Sequence, residues 1–323
     1  MKTATAVRPV ILVGRNNGVG LTCDTAILRR AFEGSRTVVS CGTRAVPFGG
    51  FILNHRRLRD AAIVFVERIH ALWLPFGHRR ILIPNQERFP LRHVWRLPLV
   101  EEVLCKSADA YDIFSRLHAN AVFTGFTSRD NLMPRIEPDY SAFFHLAGKS
   151  TFKGTQPLLD CWATHPHWPL LSVVTHPNSK WNDHGAANIL IIKRTLSREE
   201  LVMLQNSCGV HLCPSVAEGW GHSIVEGASC RALVLTTDAS PMNEEITGER
   251  GCLIRSRFAG PRPGYLGRIF VPEEGALEEC VEKVLAMSIA ERRRKGQAAR
   301  AWFEENDARF TARMREVAER IDD

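Results

Sequence analysis

The residues best suited to chemistry lie together in Pro214-Ser215-Val216-Ala217-Glu218-Gly219-Trp220-Gly221-His222-Ser223-Ile224-Val225-Glu226-Gly227-Ala228. An apolar run, Val210–Pro214, reads as a strand ahead of it, and a helix is expected from about His222 to Cys230. Gly219 and Gly221 let backbone approach a ligand with no Cβ in the way. The N–H groups of Gly221, His222, Ser223 and Ile224 are expected to open the helix unbonded, where the helix dipole favours a phosphate. Glu218 and Glu226 stand eight residues apart. A carboxylate beside a phosphate is repelled unless it holds hydroxyls, and both glutamates are suited to accepting hydrogen bonds from sugar or ribose OH groups. Either glutamate alone would pass for a solvated surface charge; the whole constellation points to a site.

This segment resembles the E-x7-E signature of retaining GT-B glycosyltransferases, the large group-one family, with the usual E-G-F-G written here as Glu218-Gly219-Trp220-Gly221. Cys230-Arg231-Ala232-Leu233-Val234-Leu235-Thr236-Thr237-Asp238 and then Pro241-Met242-Asn243-Glu244-Glu245 continue the likeness. Arg231-Ala232-Leu233 departs from the family's glycine-proline-valine run, a change of turn rather than of chemistry. Ser197-Arg198-Glu199-Glu200-Leu201 is similar to the family's helix before the motif strand. Ala147-Gly148-Lys149-Ser150-Thr151-Phe152-Lys153-Gly154-Thr155 is similar to the G-R…K-G element that grips the donor diphosphate. Lys149 replaces an arginine there and lacks its bidentate fork, so the correspondence is firmer for Lys153.

The resemblance covers most of residues 142–323 and is weaker over 1–140. It implies an α/β chain of GT-B fold, two Rossmann-like domains in tandem, 1–140 on the acceptor side and 141–323 binding a nucleotide sugar, with ligands at the carboxyl ends of the strands. Glu218 and Lys153 would be catalytic: Lys153 neutralises the departing diphosphate and Glu218 holds sugar hydroxyls. Lys149, Gly219, Trp220, Gly221, His222, Ser223 and Ile224 would line the donor site, with Glu226 on the ribose. The reaction moves a sugar from a nucleoside diphosphate to a glycan or lipid-linked acceptor with retention. No Asp-x-Asp motif occurs in the chain, and the resemblance implies neither metal nor other cofactor.

Stepping along the chain, short apolar strands alternate with amphipathic helices, the pattern of parallel sheets covered on both faces. Strands are expected at Val10–Gly14, Thr37–Cys41, Ala61–Glu67, Arg80–Pro84, Val103–Lys106 and Ala121–Phe126, with helices at Leu21–Phe32 and Ala108–Leu117. Thr127 to Pro138 reads as a linker. Beyond it come Ala142–Gly148, a helix from Gly154 to Ala163, strands Leu171–Thr175 and Asn188–Lys193, and a helix Arg198–Gln205 whose Ser197 and Glu200 form a capping box. Strand Ala232–Thr236 follows the motif helix. Phe258 to Gly264 reads as a surface loop, and Glu273 to Ile321 as charged helix anchored by Trp302, Phe303 and Phe310. The nucleobase is expected near Lys193-Arg194-Thr195-Leu196.

In the first domain, Gly14-Arg15-Asn16-Asn17-Gly18-Val19-Gly20-Leu21 follows the first strand; Asn17, Gly18 and Gly20 resemble the family's acceptor-side loop. The stretch does not meet G-x-G-x-x-G, which argues against a nicotinamide oxidoreductase. Asn85-Gln86-Glu87, Lys106-Ser107 and Thr124–Ser128 end strands, and His70, His93 and His118 stand as alternatives for a histidine near the reacting carbon.

Charge separates the halves. The first hundred residues hold 16 Lys or Arg against 5 Asp or Glu; residues 141–323 hold 22 against 23. A basic first half selects an anionic partner, whether a phosphorylated acceptor, an anionic membrane surface or nucleic acid. Arg56-Arg57-Leu58-Arg59 followed by Trp73-Leu74-Pro75-Phe76 is the expected peripheral membrane contact, and Arg79, Arg80, Arg88, Arg92 and Arg96 add to the field. The alternative class is a non-catalytic module holding nucleic acid or anionic lipid, but no helix-turn-helix, zinc-finger or RRM signature accompanies the charge. The nine cysteines form no C-x-x-C pair and read as reduced, buried thiols. His165-Pro166-His167 lacks a third ligand nearby in sequence. With no long apolar run and no signal-peptide h-region, the expected location is cytoplasmic, with the inner membrane face as a peripheral option.

Overall fold

The computed structural model describes residues 7–15, 18, 20–43 and 58–322. The chain forms two compact units: Met1–Ser128 with Arg262–Gly267 and Asn306–Asp323, and Arg129–Pro261 with Arg268–Glu305.

The first unit is built on strands β1 (Val10–Gly14), β2 (Val38–Gly42), β3 (Ala62–Glu67), β4 (Arg79–Pro84), β5 (Glu102–Cys105) and β6 (Ala121–Phe123). They lie in the order β2-β1-β3-β4-β5-β6, and every pair is parallel. β3 is buried along its whole length, as expected of a central strand apolar on both faces. Helix α1 (Gly20–Glu33) buries Leu21, Ile27, Leu28 and Phe32 at helical spacing, and α2 (Ala108–Ser115) starts on Ser107, whose side chain accepts from the Ala110 amide.

The second unit has β7 (Asp139–Gly148), β8 (Leu171–Thr175), β9 (Ile189–Ile192), β10 (Cys208–Cys213), β11 (Leu233–Thr237) and β12 (Gly251–Ile254). Their order, β12-β11-β10-β7-β8-β9, is again wholly parallel and is the Rossmann 3-2-1-4-5-6 arrangement. Helices α3 (Thr155–Ala163), α4 (Arg198–Ser207), α5 (His222–Ser229), α6 (Met242–Glu245), α7 (Ala276–Ala286) and α8 (Ile289–Glu319) complete the chain. In each unit the winding direction reverses once, between β1 and β3 and between β7 and β10. These switch points are where open α/β sheets leave a crevice for ligands.

Most expected elements recur within a few residues, and the capping box on α4 is present, with Ser197 N–H donating to Glu200 at 2.7 Å and Glu200 N–H to Ser197 Oγ at 3.1 Å. Three expectations change. A boundary after residue 140 would cut β7; the units part at Ser128/Arg129, and residues 306–323 belong with the first unit, where Phe310 packs against Phe126 at 5.1 Å. The stretch 258–264 is not a plain loop: β13 (Ser256–Pro261) pairs antiparallel with β14 (Arg268–Pro272), with a register shift at Phe258/Gly260. Gly260 sits at the bulge and Pro261 at the strand end, where these residue types are tolerated. The linker is irregular yet held: Asn131 takes bonds from its amide to Ser229 Oγ at 3.1 Å and from its side chain to Gln205 at 2.9 Å.

Trp162 is fully buried in the second core, edge-on to Trp168 at 4.8 Å and tilted on Phe143 at 5.3 Å. Trp162→Ala removes a large side chain from a site walled by sheet and helix, so it is expected to lower stability by about 3–5 kcal/mol. Urea unfolding followed by intrinsic fluorescence measures it; a loss under about 1 kcal/mol would mean that the core closes over the gap.

Candidate functional site

The second unit's switch point brings together the loops that leave β7 and β10. After β7 the chain makes a single turn, Thr151–Lys153, and Gly154 follows with φ +65°. A Cβ on Gly154 would collide with the Pro214 carbonyl oxygen, so only glycine lets the two loops touch. The Val216 amide then bonds the Phe152 carbonyl at 2.8 Å. This contact delivers Lys153 to Glu218: Nζ lies 2.6 Å from Glu218 Oε1 and 2.9 Å from Ser223 Oγ. Ser215 Oγ donates to the same carboxylate oxygen at 2.7 Å. Burial pulls the Lys153 ammonium down, but the charge and hydrogen bond of Glu218, with Glu226 beyond it, leave it raised and cationic. Beneath it, His145 ties Leu212 O at 2.7 Å to Thr155 Oγ1 at 2.8 Å. Burial above all holds this ring neutral, near 4.

Gly221, at φ +106°, is the N-cap of α5. The amides of Gly221 and Ser223 stand ahead of the helical ladder. The Ile224 amide does not: it bonds Gly221 O at 2.8 Å, and its side chain is fully buried. Ile224 therefore serves the core, because a tight first turn engages the fourth donor. Trp220 is buried too, at 6% exposure, and packs rather than facing outward. Glu226 Oε2 accepts from Gln205 Nε2 at 3.3 Å, so Asn131, through Gln205, helps to place it.

Lys149 is placed apart from the Lys153–Glu218 pair. It lines a cavity of about 320 Å³ beyond the ends of β7 and β8, with His176, Ser179 and Lys180. Trp181 also borders this cavity, and its indole Nε1 is buried without a partner among the described residues. The cavity offers two lysines and an unmet donor to an anionic or polar ligand.

Sequence reasoning missed Glu245. Its carboxyl is 1% exposed, neither oxygen has a hydrogen-bond partner among the described residues, and it sits directly behind Gly221. A Cβ on Gly221 would meet its oxygens at 2.5 and 2.9 Å. Arg250 donates to the main-chain carbonyls of Glu245 and Glu244, at 2.8 and 3.1 Å, and not to the Glu245 carboxyl. Burial first, then the charges of Glu218 and Glu244, push its pKa well above the ordinary range against the pull of Lys153 and Arg250. Glu245 is thus a neutral acid beside an ionised pair. The only sequence signal was its place in the stretch that continues the motif, and no spacing connects it to Gly221.

In the first unit, Gly18 has φ +71° and its amide donates to Thr22 Oγ1 at 2.9 Å; Gly20 is the first residue of α1. Asn17, Arg56 and Arg57 lie outside the described residues. Lys106 and Asn85 face each other rather than a ligand: Lys106 Nζ is 2.7 Å from Asp24 and 2.8 Å from Asn85 Oδ1, and is 1% exposed. His118 Nε2 is engaged with Val100 O at 3.0 Å. Burial, with the charges of nearby arginines, lowers His70 and His93 to about 4. The membrane segment is corrected: Trp73 and Phe76 are core residues, which their helical spacing could not reveal, whereas Trp95 and Leu91 are exposed, at 65% and 51%. All nine cysteines are free, and seven are buried. His165 has both ring nitrogens engaged, with Cys161 O and Glu278, and no cluster of metal-binding side chains occurs among the described residues. No described helix is long and apolar enough to cross a membrane.

No family model and no curated protein matches the chain. Solved structures do match. Sucrose-phosphate synthase from Thermosynechococcus elongatus superposes with TM-score 0.75 at 12% identity, over 97% of this chain and 98% of that one. A glycosyltransferase from Rickettsia africae gives 0.70 at 11%, over 98% and 99%. The Anabaena protein HepE, solved with UDP and glucose, gives 0.66 at 12%, over 98% and 99%. At such identities the likeness shows the fold, and the fold is GT-B.

The neutral Glu245 carries a stability signature. Its folded pKa lies above the unfolded one, so the stability present while both states are protonated is lost as pH rises from about its ordinary 4.5 towards the folded value,. Glu245→Gln removes that titration. Wild type and variant should match at low pH, and the variant should become increasingly the more stable towards neutrality, as read from denaturation midpoints across pH. A constant gap would show that Glu245 is ionised. Gly221→Ala is expected to cost about 1–3 kcal/mol through backbone strain, with crowding of the carboxyl added to it.

Proposed function

We propose that the chain is a retaining glycosyltransferase that moves a sugar from a nucleoside diphosphate to an acceptor hydroxyl. The observation that carries this reading is the convergence of Lys153, Glu218 and Ser223 at the amino end of α5, on the switch point of a Rossmann-type sheet. A cation, a helix N-terminus and a hydroxyl-binding carboxylate are what a sugar linked through a diphosphate needs on its three sides. The complexes of HepE with UDP and glucose and with UDP-glucose, in the same fold, support it.

In this mechanism the donor diphosphate displaces Glu218 from Lys153. The ammonium and the amides of Gly221 and Ser223 then meet the negative charge that grows as the anomeric carbon–oxygen bond breaks. Released from the ion pair, Glu218 accepts hydrogen bonds from sugar hydroxyls and holds the ring. Glu226, placed by Gln205, does the same for the ribose, and Lys149 with its cavity takes the outer part of the nucleotide. The acceptor oxygen bonds to the anomeric carbon on the face the phosphate leaves, and its proton passes to the departing phosphate oxygen, so configuration is kept. No side-chain nucleophile is required. The neutral Glu245 leaves the positive end of α5 uncancelled for the incoming anion.

Lys153→Ala removes one charge-assisted contact to phosphate and should weaken donor binding and transfer by about 1.5–3 kcal/mol. Binding of a panel of UDP-, GDP- and ADP-sugars, followed by turnover on the one that binds, provides the assay; wild-type behaviour of the mutant would remove Lys153 from the site. Glu226→Gln should mainly raise the donor KM. Glu218→Gln should mainly lower kcat, since its partner is the ring whose charge changes in the transition state. Unchanged kinetics in both would exclude this reading, and salt-sensitive DNA binding with no nucleotide-sugar binding would favour the module instead.

A further inference from the structure

The first unit has a switch point of its own, and the charges gather there. β1 and β3 are neighbours, with Val13 opposite Phe65, and Arg15, two residues past that pair, lies close enough to His70 for its charge, like that of Arg68, to act on the ring. The stretch after β4, the next strand, brings Arg92, His93 and Arg96 to the same edge, and Arg96 Nη1 donates to Ile69 O at 3.2 Å. Two carboxylates face this group. Glu67 pairs with Arg68 at 2.7 Å, while Glu87 lies 4.0 Å from Arg88 and its carbonyl oxygen accepts from Arg262.

The cations outnumber these acids, and the molecule shows the strain of it. Burial and the fields of Arg68, Arg15 and Arg96 hold His70 near 4, and burial with Arg96, Arg92 and Arg68 does the same to His93. Burial and the neighbouring Arg88 lower even the Arg262 guanidinium. His93 Nδ1 is buried with no partner among the described residues. Like charges gathered at a ligand-binding edge, beside an unmet ring nitrogen, lack an anion.

We propose that this edge of the first unit, between the carboxyl ends of β1 and β3, binds a phosphate monoester through Arg15, Arg68, Arg92 and Arg96 beside His93. The guanidinium fork matches phosphate oxygens two at a time, and a dianion offsets several cations at one point. The charges converge on strand ends rather than spreading along a face, as a nucleic-acid track would require. Assignment of this site to the acceptor rests on the transferase reading; phosphate binding itself does not. The phosphate can arrive on a soluble sugar or on a lipid, and the exposed Trp95 and Leu91 beside Arg92 and Arg96 make the second source testable.

The test is calorimetric titration of the full chain with inorganic phosphate at low salt, against chloride at matched ionic strength, in wild type, Arg15→Ser/Arg92→Ser and Lys153→Ala. Both altered arginines are exposed, so the double variant should fold. Phosphate bound at the amino end of α5 is expected to be lost in Lys153→Ala, while a site of unchanged affinity remains; the double variant keeps the former and binds at the latter about tenfold or more weakly, one charge-assisted contact being worth about that factor. Equal affinity at that second site in the double variant, loss of all binding in Lys153→Ala, or chloride competing as well as phosphate would overturn the site. Glucose 6-phosphate displacing inorganic phosphate identifies the soluble source. Capture on phosphatidylcholine vesicles carrying phosphatidic acid, reversed by inorganic phosphate, identifies the lipid source. An oligonucleotide that binds there with steep salt dependence and is not displaced by phosphate overturns the proposal. Phosphate binding without any nucleotide-sugar binding would sink the transferase reading alone, and the converse would sink this site alone.

Discussion

The contact between Lys153 and Glu218 organises the second unit. It exists because two loops leaving adjacent parallel strands touch at Gly154 and Pro214, an approach that any side chain at 154 would forbid. Around that contact the other parts fall into order. Ser215 and Ser223 complete the hydrogen bonds of the pair. His145 holds the end of β10 to the start of α3, and Gly221 turns the chain into α5 at a φ only glycine adopts readily. The pair is largely shielded, at 18% and 14% exposure, so leaving one member without a charged partner is costly. A ligand anion that replaces Glu218 on Lys153 while offering hydroxyls to Glu218 avoids that cost.

Electrostatics divides the labour within each unit. In the second, burial keeps Glu245 and His145 uncharged next to an ionised pair, so the local field is that of the pair and a helix N-terminus. In the first, Lys106 and Asp24 neutralise each other out of solvent, at 2.7 Å, and stabilise the edge between α1 and β5. At the ends of β1 and β3 compensation is partial: Glu67 pairs with Arg68 at 2.7 Å, and the remaining arginines outnumber the acids. The bulk excess of positive charge in the first hundred residues is thus not an even coat: part is cancelled inside, and part is concentrated where the winding reverses.

What the chain's linear order could not show follows a common cause. Trp73 and Phe76 read as a membrane anchor because they follow a basic run, but which side of a short turn faces the core is set by the strands it packs on. Phe258 to Gly264 has the composition of a loop, yet its backbone groups find a partner strand that lies downstream. The end of the chain reads as one long charged helix, and α8 is one; that its last turns pack with the first unit, through Phe310 and its contact with Phe126, depends on a partner far off in sequence.

By itself the sequence determined the class of fold and the position of eleven of the fourteen strands among the described residues, and it singled out the loop and helix around Glu218, because those are carried by local periodicity and by residues a few positions apart. Glu218, Gly221, Ser223 and Glu226 share one loop and helix, and their spacing is their geometry. Tertiary structure alone decided that Lys153 meets Glu218 while Lys149 lines a separate cavity, that Ile224 closes the first turn instead of offering an amide, and that Glu245 is a neutral acid behind Gly221. It also brought arginines from the ends of β1 and β3 and from the stretch after β4 to one edge of the first unit. These depend on distances between residues far apart in the chain and on removal of charge from water, and only the closed packing of parallel strands sets either.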